Sequence, residues 1–105
     1  MTRGEIWSIA GEGEERAAIV LQDDRFGAML TVTVCPLTPS KITSVYARPE
    51  IVPSKANGLS KPTRAMVDKV TTVAKAKFGK RIGALEKAEL ARIEEGVRVF
   101  LGLGG

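Results

Sequence analysis

The sequence predicts a mainly β fold with a C-terminal α-helix, an SH3-like barrel of five to six antiparallel strands, and three observations carry that prediction. Short apolar or alternating segments of strand length recur between Gly, Pro and Asn breaks through the first four fifths of the chain. The hydrophobic period then changes to that of a helix between Leu90 and Leu101. At 105 residues there is room for one core and not for two ordinary ones, so a single domain over residues 1–105 is expected.

The elements follow in order. GEIWSI, residues 4–9, alternates as a first strand, and AGEGEE at 10–15 breaks it with two glycines and three acids. RAAIVLQ at 16–22 is a second strand ending in the turn-like DDRFG, and MLTVTVCPL at 29–37 is a third, in which Thr31 and Thr33 alternate with Leu30, Val32 and Val34. Pro36 donates nothing to a ladder and should mark that strand's end or an edge, leaving Thr38 at its exit. SVYARPEIV at 44–52 predicts a fourth strand, PSKANGLSKP at 53–62 a set of turns, and TRAMVDKV at 63–70 a fifth strand. TTVAKAKFG at 71–79 predicts a single helical turn, and KRIGAL at 80–85 a short last strand. Leu90, Ile93, Val97, Phe100 and Leu101 then share one face of a helix that Gly102, Gly104 and Gly105 stop, with Glu86 a poor residue at its start.

Composition excludes whole chemistries. The hydrophobic fraction of 44% and charged fraction of 27% are those of a globular chain. With no histidine and Cys35 as the one cysteine, a zinc site, a Cys/His or Ser/His couple and an internal disulfide are all excluded. Cys35, between Val34 and Pro36, is expected to be a buried thiol. No apolar run is long enough to span a bilayer and no leader pattern is present, so a cytoplasmic protein with no membrane role is expected.

The formal charge is +4, unevenly spread: residues 1–52 carry −2, residues 53–85 carry +7 and residues 86–105 carry −1. The basic middle comprises Lys55, Lys61, Arg64, Lys69, Lys75, Lys77, Lys80 and Arg81 against Asp68 alone. Such a block attracts a phosphate backbone, although a solvated basic face is the commoner explanation. A second charged feature is Arg16, which opens an apolar strand directly behind Glu12, Glu14 and Glu15. It is either a solvated strand start or a guanidinium aimed at a site.

RGEIW at 3–7, RAAIVLQDDRF at 16–26, VCPLT at 34–38, NGLSKPTRAMVDKV at 57–70, GKRIGAL at 79–85 and LARIEEGVRVFLGL at 90–103 together resemble the MazF/PemK family of toxins, in order and over nearly the whole chain. The resemblance implies a CcdB/PemK-like barrel, a homodimer that cuts single-stranded RNA at short motifs without a metal or other cofactor, and a cognate acidic antitoxin of the MazE type that silences it. It implies Arg16 and Thr38 as catalytic residues. A loop carboxylate assists in some members; Glu12 is our candidate, with Glu14 and Glu15 as alternatives. Glu15, Lys55, Lys61, Arg64 and Lys69 are the expected RNA contacts.

Attack by the neighbouring 2′-hydroxyl requires removal of its proton, stabilisation of charge on the phosphorane and protonation of the leaving 5′-oxygen. A guanidinium matches phosphoryl oxygens bidentately and a threonine hydroxyl donates one more hydrogen bond. A guanidinium is a poor base at neutral pH, which leaves proton abstraction to a glutamate or water.

The chain departs from the family pattern in three places. Ala17 replaces the common proline, the loop at 10–15 is short, and Lys69-Val70-Thr71-Thr72 stands for the usual Gln-x-Arg-Thr, so the arginine is absent at Thr71. Two alternatives remain. A CcdB-type gyrase poison shares the scaffold but uses a C-terminal tryptophan-containing tail, whereas this chain ends LGLGG and its one tryptophan is Trp7. A catalytically silent RNA-binding module would use Arg16 merely as the partner of a loop glutamate.

Overall fold

The computed structural model describes residues 1–11, 15–39 and 48–104. Its strands are β1 (Glu5–Ala10), β2 (Glu15–Val20), β3 (Thr31–Thr38), β4 (Glu50–Ile51), β5 (Thr63–Ala65), β6 (Thr71–Ala74) and β7 (Phe78–Ala84), followed by the helix α1 (Lys87–Leu101). They form one sheet in the order β4-β5-β3-β2-β1-β7, with β6 also beside β3 and every pairing antiparallel. The predicted architecture, a curled antiparallel sheet with one C-terminal helix, is therefore the observed one.

Strand alternation sorts the apolar residues onto two faces. Ile6, Ile19, Cys35, Leu37, Ile51 and Ala65 bury against Val67, Leu85 and Ile93 of the helix side. Ala18, Val20, Val32 and Val34 form a second cluster on the opposite face, flanked by Trp7, Ile9, Val73 and Phe78. The rings of Trp7 and Phe78 meet edge to face, with centroids 6.2 Å apart. Cys35 is fully buried as expected, and that burial, followed by the nearby Asp68 charge, pushes its thiol up to about 12.

The structure corrects three element boundaries. Residues 63–70 are not one strand: β5 ends at Ala65, Met66 N–H donates to the Pro36 carbonyl at 2.8 Å, and Val67–Lys69 forms a 3-10 turn that drops Val67 into the core. Residues 71–79 are not a helical turn either. Thr71–Ala74 pair with β3, where Val73 lies across from Val32, the 3-10 turn is confined to Lys75–Lys77, and Phe78 already belongs to β7. Local helix propensity loses here to an open edge of β3 that an alternating Thr-Thr-Val segment can pair. Within the predicted strand at 44–52, β4 covers Glu50–Ile51, and residues 44–47, Tyr46 included, lie outside the described residues.

The helix face is shifted too. Ile93 and Gly96 are buried and Leu90 and Val97 pack on the core, but Phe100 and Leu101 stand half exposed. At the helix start, Glu86 N–H donates to the Glu89 carboxylate at 2.9 Å, so the residue three places on supplies the cap that Glu86 was not expected to provide. Gly102 ends the helix at φ +69°.

The predicted turns between β4 and β5 centre on Asn57, which is fully buried. Its Oδ1 accepts from the Ser54 and Leu59 N–H groups at 2.9 and 3.0 Å, and its Nδ2 donates to the Val52 carbonyl at 2.9 Å. Gly58 follows at φ +68°, where a Cβ would lie 2.2 Å from the Ile82 carbonyl oxygen. The Asn-Gly pair thus clamps this loop onto β7.

Candidate active site

The register of β2 and β3 relates Arg16 to Thr38. Val20 pairs with Val34, Ile19 with Cys35 and Ala18 with Pro36, and there the ladder stops. Pro36 has no N–H to continue it, and its carbonyl is taken by Met66. Beyond this point β2 stays with β1, Arg16 opposite Ile9, while β3 turns to β5, Thr38 opposite Arg64. The two strands therefore part, and the same register extended by two residues puts Thr38 across the gap from Arg16. Pro36 lies inside β3 and marks a change of partner rather than the strand's end.

The gap opens on the face away from the helix. Arg16 shares that face with Ala18 and Val20, and Thr38 with Val34 and Pro36, by strand alternation. An open groove of about 130 Å³ lies there, lined by Ile9, Ala10, Gly11, Arg16, Ala17, Ala18, Val34, Pro36, Thr71 and Val73. Its described walls are mostly apolar, and Arg16, an exposed residue, is the one charged residue among them. Thr71 stands in the wall opposite Val34. Thr38 is buried at 9% exposure, on a rigid strand beside a small, apolar surface.

Two further arginines border the end of β3. Arg48 is bound to Asp68 through two of its guanidinium nitrogens, Nε and Nη2, each at 3.3 Å. That hydrogen bond, ahead of the opposing effect of burial, holds the Asp68 carboxyl below its usual range. Arg64 is held loosely: Nη2 stands 3.8 Å from Glu50 and Nη1 is 3.5 Å from the Arg48 carbonyl. Neither Arg48 nor Asp68 was expected at the site; the signal for the pair was Asp68 itself, the lone acid of the basic middle.

The remaining expected residues distribute unevenly. Glu15 pairs with Ala10 beside Arg16, so its backbone is at the groove mouth. Glu12 and Glu14 lie outside the described residues. Lys69 is exposed at the end of the 3-10 turn before Thr71, close to the groove wall. Lys61 is exposed just before β5. Lys55 precedes Ala56, whose carbonyl accepts from Ala84 at the Glu5 end of β1, the far end of that strand from Arg16. Among the described residues there is no group of three His, Cys, Asp or Glu side chains that could hold a metal ion.

Residues 2–101 match the model of the PemK-like, MazF-like toxins of type II toxin–antitoxin systems. The chain belongs to this family. A probable endoribonuclease MazF of Mycolicibacterium smegmatis is 38% identical over 109 residues, which cover the whole of both chains. Among solved structures, a mycobacterial endoribonuclease in complex with its cognate antitoxin superposes with a TM-score of 0.84 at 16% identity, over 100% of this chain and 98% of that one. The MazE-MazF complex of Deinococcus radiodurans gives 0.79 at 17% identity, over 99% and 97%. These two likenesses concern the fold, and the family expectation drawn from the sequence stands on the first two matches. No helix among the described residues is long and apolar enough to cross a membrane.

Proposed function

We propose that this family member is an endoribonuclease toxin that cuts single-stranded RNA, mRNA among it, by attack of the 2′-hydroxyl on the adjacent phosphate. The observation that carries the reading is the parting of β2 and β3 at Pro36, beside a groove lined by Arg16 and Pro36, with Thr38 two residues beyond Pro36 on the same face of β3. In this mechanism a base removes the 2′-hydroxyl proton, the oxygen attacks phosphorus, and the 5′-oxygen leaves with a proton, giving a 2′,3′-cyclic phosphate and a 5′-hydroxyl. Arg16 neutralises the phosphorane oxygens and Thr38 donates a hydrogen bond to one of them. Glu12 is the proposed base. Glu15 and Lys69 border the RNA path, and Lys61 and Lys55 extend it along the β4–β5 loop.

The same reading includes a cytoplasmic toxin of one domain, a homodimer, and a cognate acidic antitoxin. Val99, Phe100, Leu101 and Leu103 form an exposed apolar end to the helix, the kind of surface that a second subunit covers. The net charge of +4 and the cation-lined approach suit an acidic, extended antitoxin segment.

The test is cleavage of a long mixed-sequence single-stranded RNA by purified protein in excess EDTA, beside Arg16→Ala and Thr38→Ala. Discrete cuts with 2′,3′-cyclic ends, reduced about 100-fold or more by Arg16→Ala, are expected. Uncut RNA at protein concentrations that arrest growth would refute the proposal and favour a protein target such as gyrase. Cutting at the parent rate by both variants would refute the residue assignment.

A further inference from the structure

A pentacoordinate phosphorane carries charge on two non-bridging oxygens and on the leaving oxygen, and a bidentate guanidinium edge pairs with two of these acceptors. Among the described residues that line the groove, Arg16 is the one cation, the others being Thr71 and apolar residues or glycine. From this geometry we infer that Arg64 is the second guanidinium of the reaction centre, approaching the scissile phosphate from the side of Thr38 opposite to Arg16; this rests on the function proposed above.

Three observations support the assignment. Arg64 is the direct cross-strand partner of Thr38, so the two side chains leave the sheet on the same face. Its neighbour Ala65 points the other way, into the core beside Leu37, which fixes that orientation. Thr38 and Arg64 are thus paired at ordinary strand spacing of about 5 Å, and Arg16 follows on β2 across the gap where that strand has parted from β3. Two extended arginines on either side of the threonine converge on a phosphate seated above it.

Second, Arg64 is available where its neighbour is not. Arg48 is locked to Asp68 in a two-point contact, with a side chain only 13% exposed. The contacts of Arg64 with Glu50 and the Arg48 carbonyl are long, at 3.8 and 3.5 Å, and a phosphate dianion-like transition state competes well with them. Third, the arrangement is rigid at its base. Ala65 N–H donates to the Pro49 carbonyl just before β4 at 2.9 Å and Met66 N–H to Pro36 of β3, so the backbone that follows Arg64 is tied on one side to the β4 segment and on the other to the strand that carries Thr38.

The experiment is single-turnover cleavage of a short RNA containing one cut site, at saturating protein, by the parent, Arg16→Ala, Arg64→Ala and Arg64→Lys, with thermal melts of each. Arg64→Ala is expected to lose about 100-fold in the cleavage rate with half-saturation changed by less than about threefold, and to regain part of the rate in millimolar guanidinium. Arg64→Lys keeps the charge and the stem but not the planar fork, and is expected to fall about tenfold below the parent. Should the alanine variant fail to fold, the lysine variant decides. A folded Arg64→Lys at the parent rate, or an Arg64→Ala loss confined to half-saturation, would overturn the inference. Arg16→Ala inactive beside Arg64→Ala at the parent rate would remove this inference alone, whereas a parent protein that cuts no RNA would remove the proposed function with it.

Discussion

Replacing Glu5 by glutamine should make the fold lose stability at neutral pH and lose the part of its acid sensitivity that Glu5 supplies. Glu5 opens β1, and its carboxylate accepts from Thr2 N–H at 2.7 Å, Trp7 Nε1 at 3.1 Å and Arg81 Nε at 2.7 Å. Burial alone would raise its pKa, but the bonds from Thr2, Arg81 and Trp7 together outweigh it and lower the value from 4.5 to about 2. A shift of that size corresponds to at most about 3 kcal/mol at pH 7, and the half-exposed Arg81 side chain brings the expected figure to about 2–3 kcal/mol. Because the folded pKa lies below the unfolded one, this stabilisation is complete above about pH 5 and disappears as the pH falls towards 2.

Glutamine mimics the neutral carboxyl, so parent and Glu5→Gln should differ by about 2–3 kcal/mol at pH 7 and by less than about 1 kcal/mol near pH 2. With a urea slope of about 1–1.5 kcal/mol/M for a chain of this size, the midpoints should lie about 2 M apart at neutral pH and converge in acid. Trp7, the one tryptophan, reports the transition from beside the substituted residue. Other carboxylates, Asp23 and Asp68 among them, titrate equally in both proteins and cancel in the difference. Two midpoint curves that run parallel from pH 7 to pH 2 would refute the reasoning.

Further outcomes follow from the same structure. Gly58→Ala should cost more than about 3 kcal/mol and lower the melting temperature by about 15 °C, since the added Cβ would sit 2.2 Å from the Ile82 carbonyl at a φ of +68°; a melt within 3 °C, on the order of 0.5 kcal/mol, would contradict it. Cys35, fully buried with its thiol pushed up to about 12, should react with a thiol reagent at pH 8 at least about 100-fold more slowly than in the urea-unfolded chain, and labelling at the unfolded rate would show that β3 opens readily.

The sequence by itself determined the fold class, because alternation and helical period are local properties written into successive residues. It also supplied the helix stop at Gly102 and the turn at Asn57-Gly58, where one backbone conformation favours one residue type. Arg16 and Thr38 became a candidate pair through resemblance alone, since twenty-two positions separate them and neither is distinctive in its local context. The segment at 71–79 was misread because its lysines and alanines favour a helix, and the vacancy beside β3 that makes Thr71–Ala74 a strand exists only in three dimensions. Phe100 keeps helical period but lies past the sheet it was expected to cover. What tertiary structure alone decided is the geometry of the candidate site: Pro36 ends one ladder and hands β3 to another partner, and that exchange brings Arg64 beside Thr38. Pairing between distant strands depends on register, and register is set by the summed burial of whole strands rather than by any residue that the site uses.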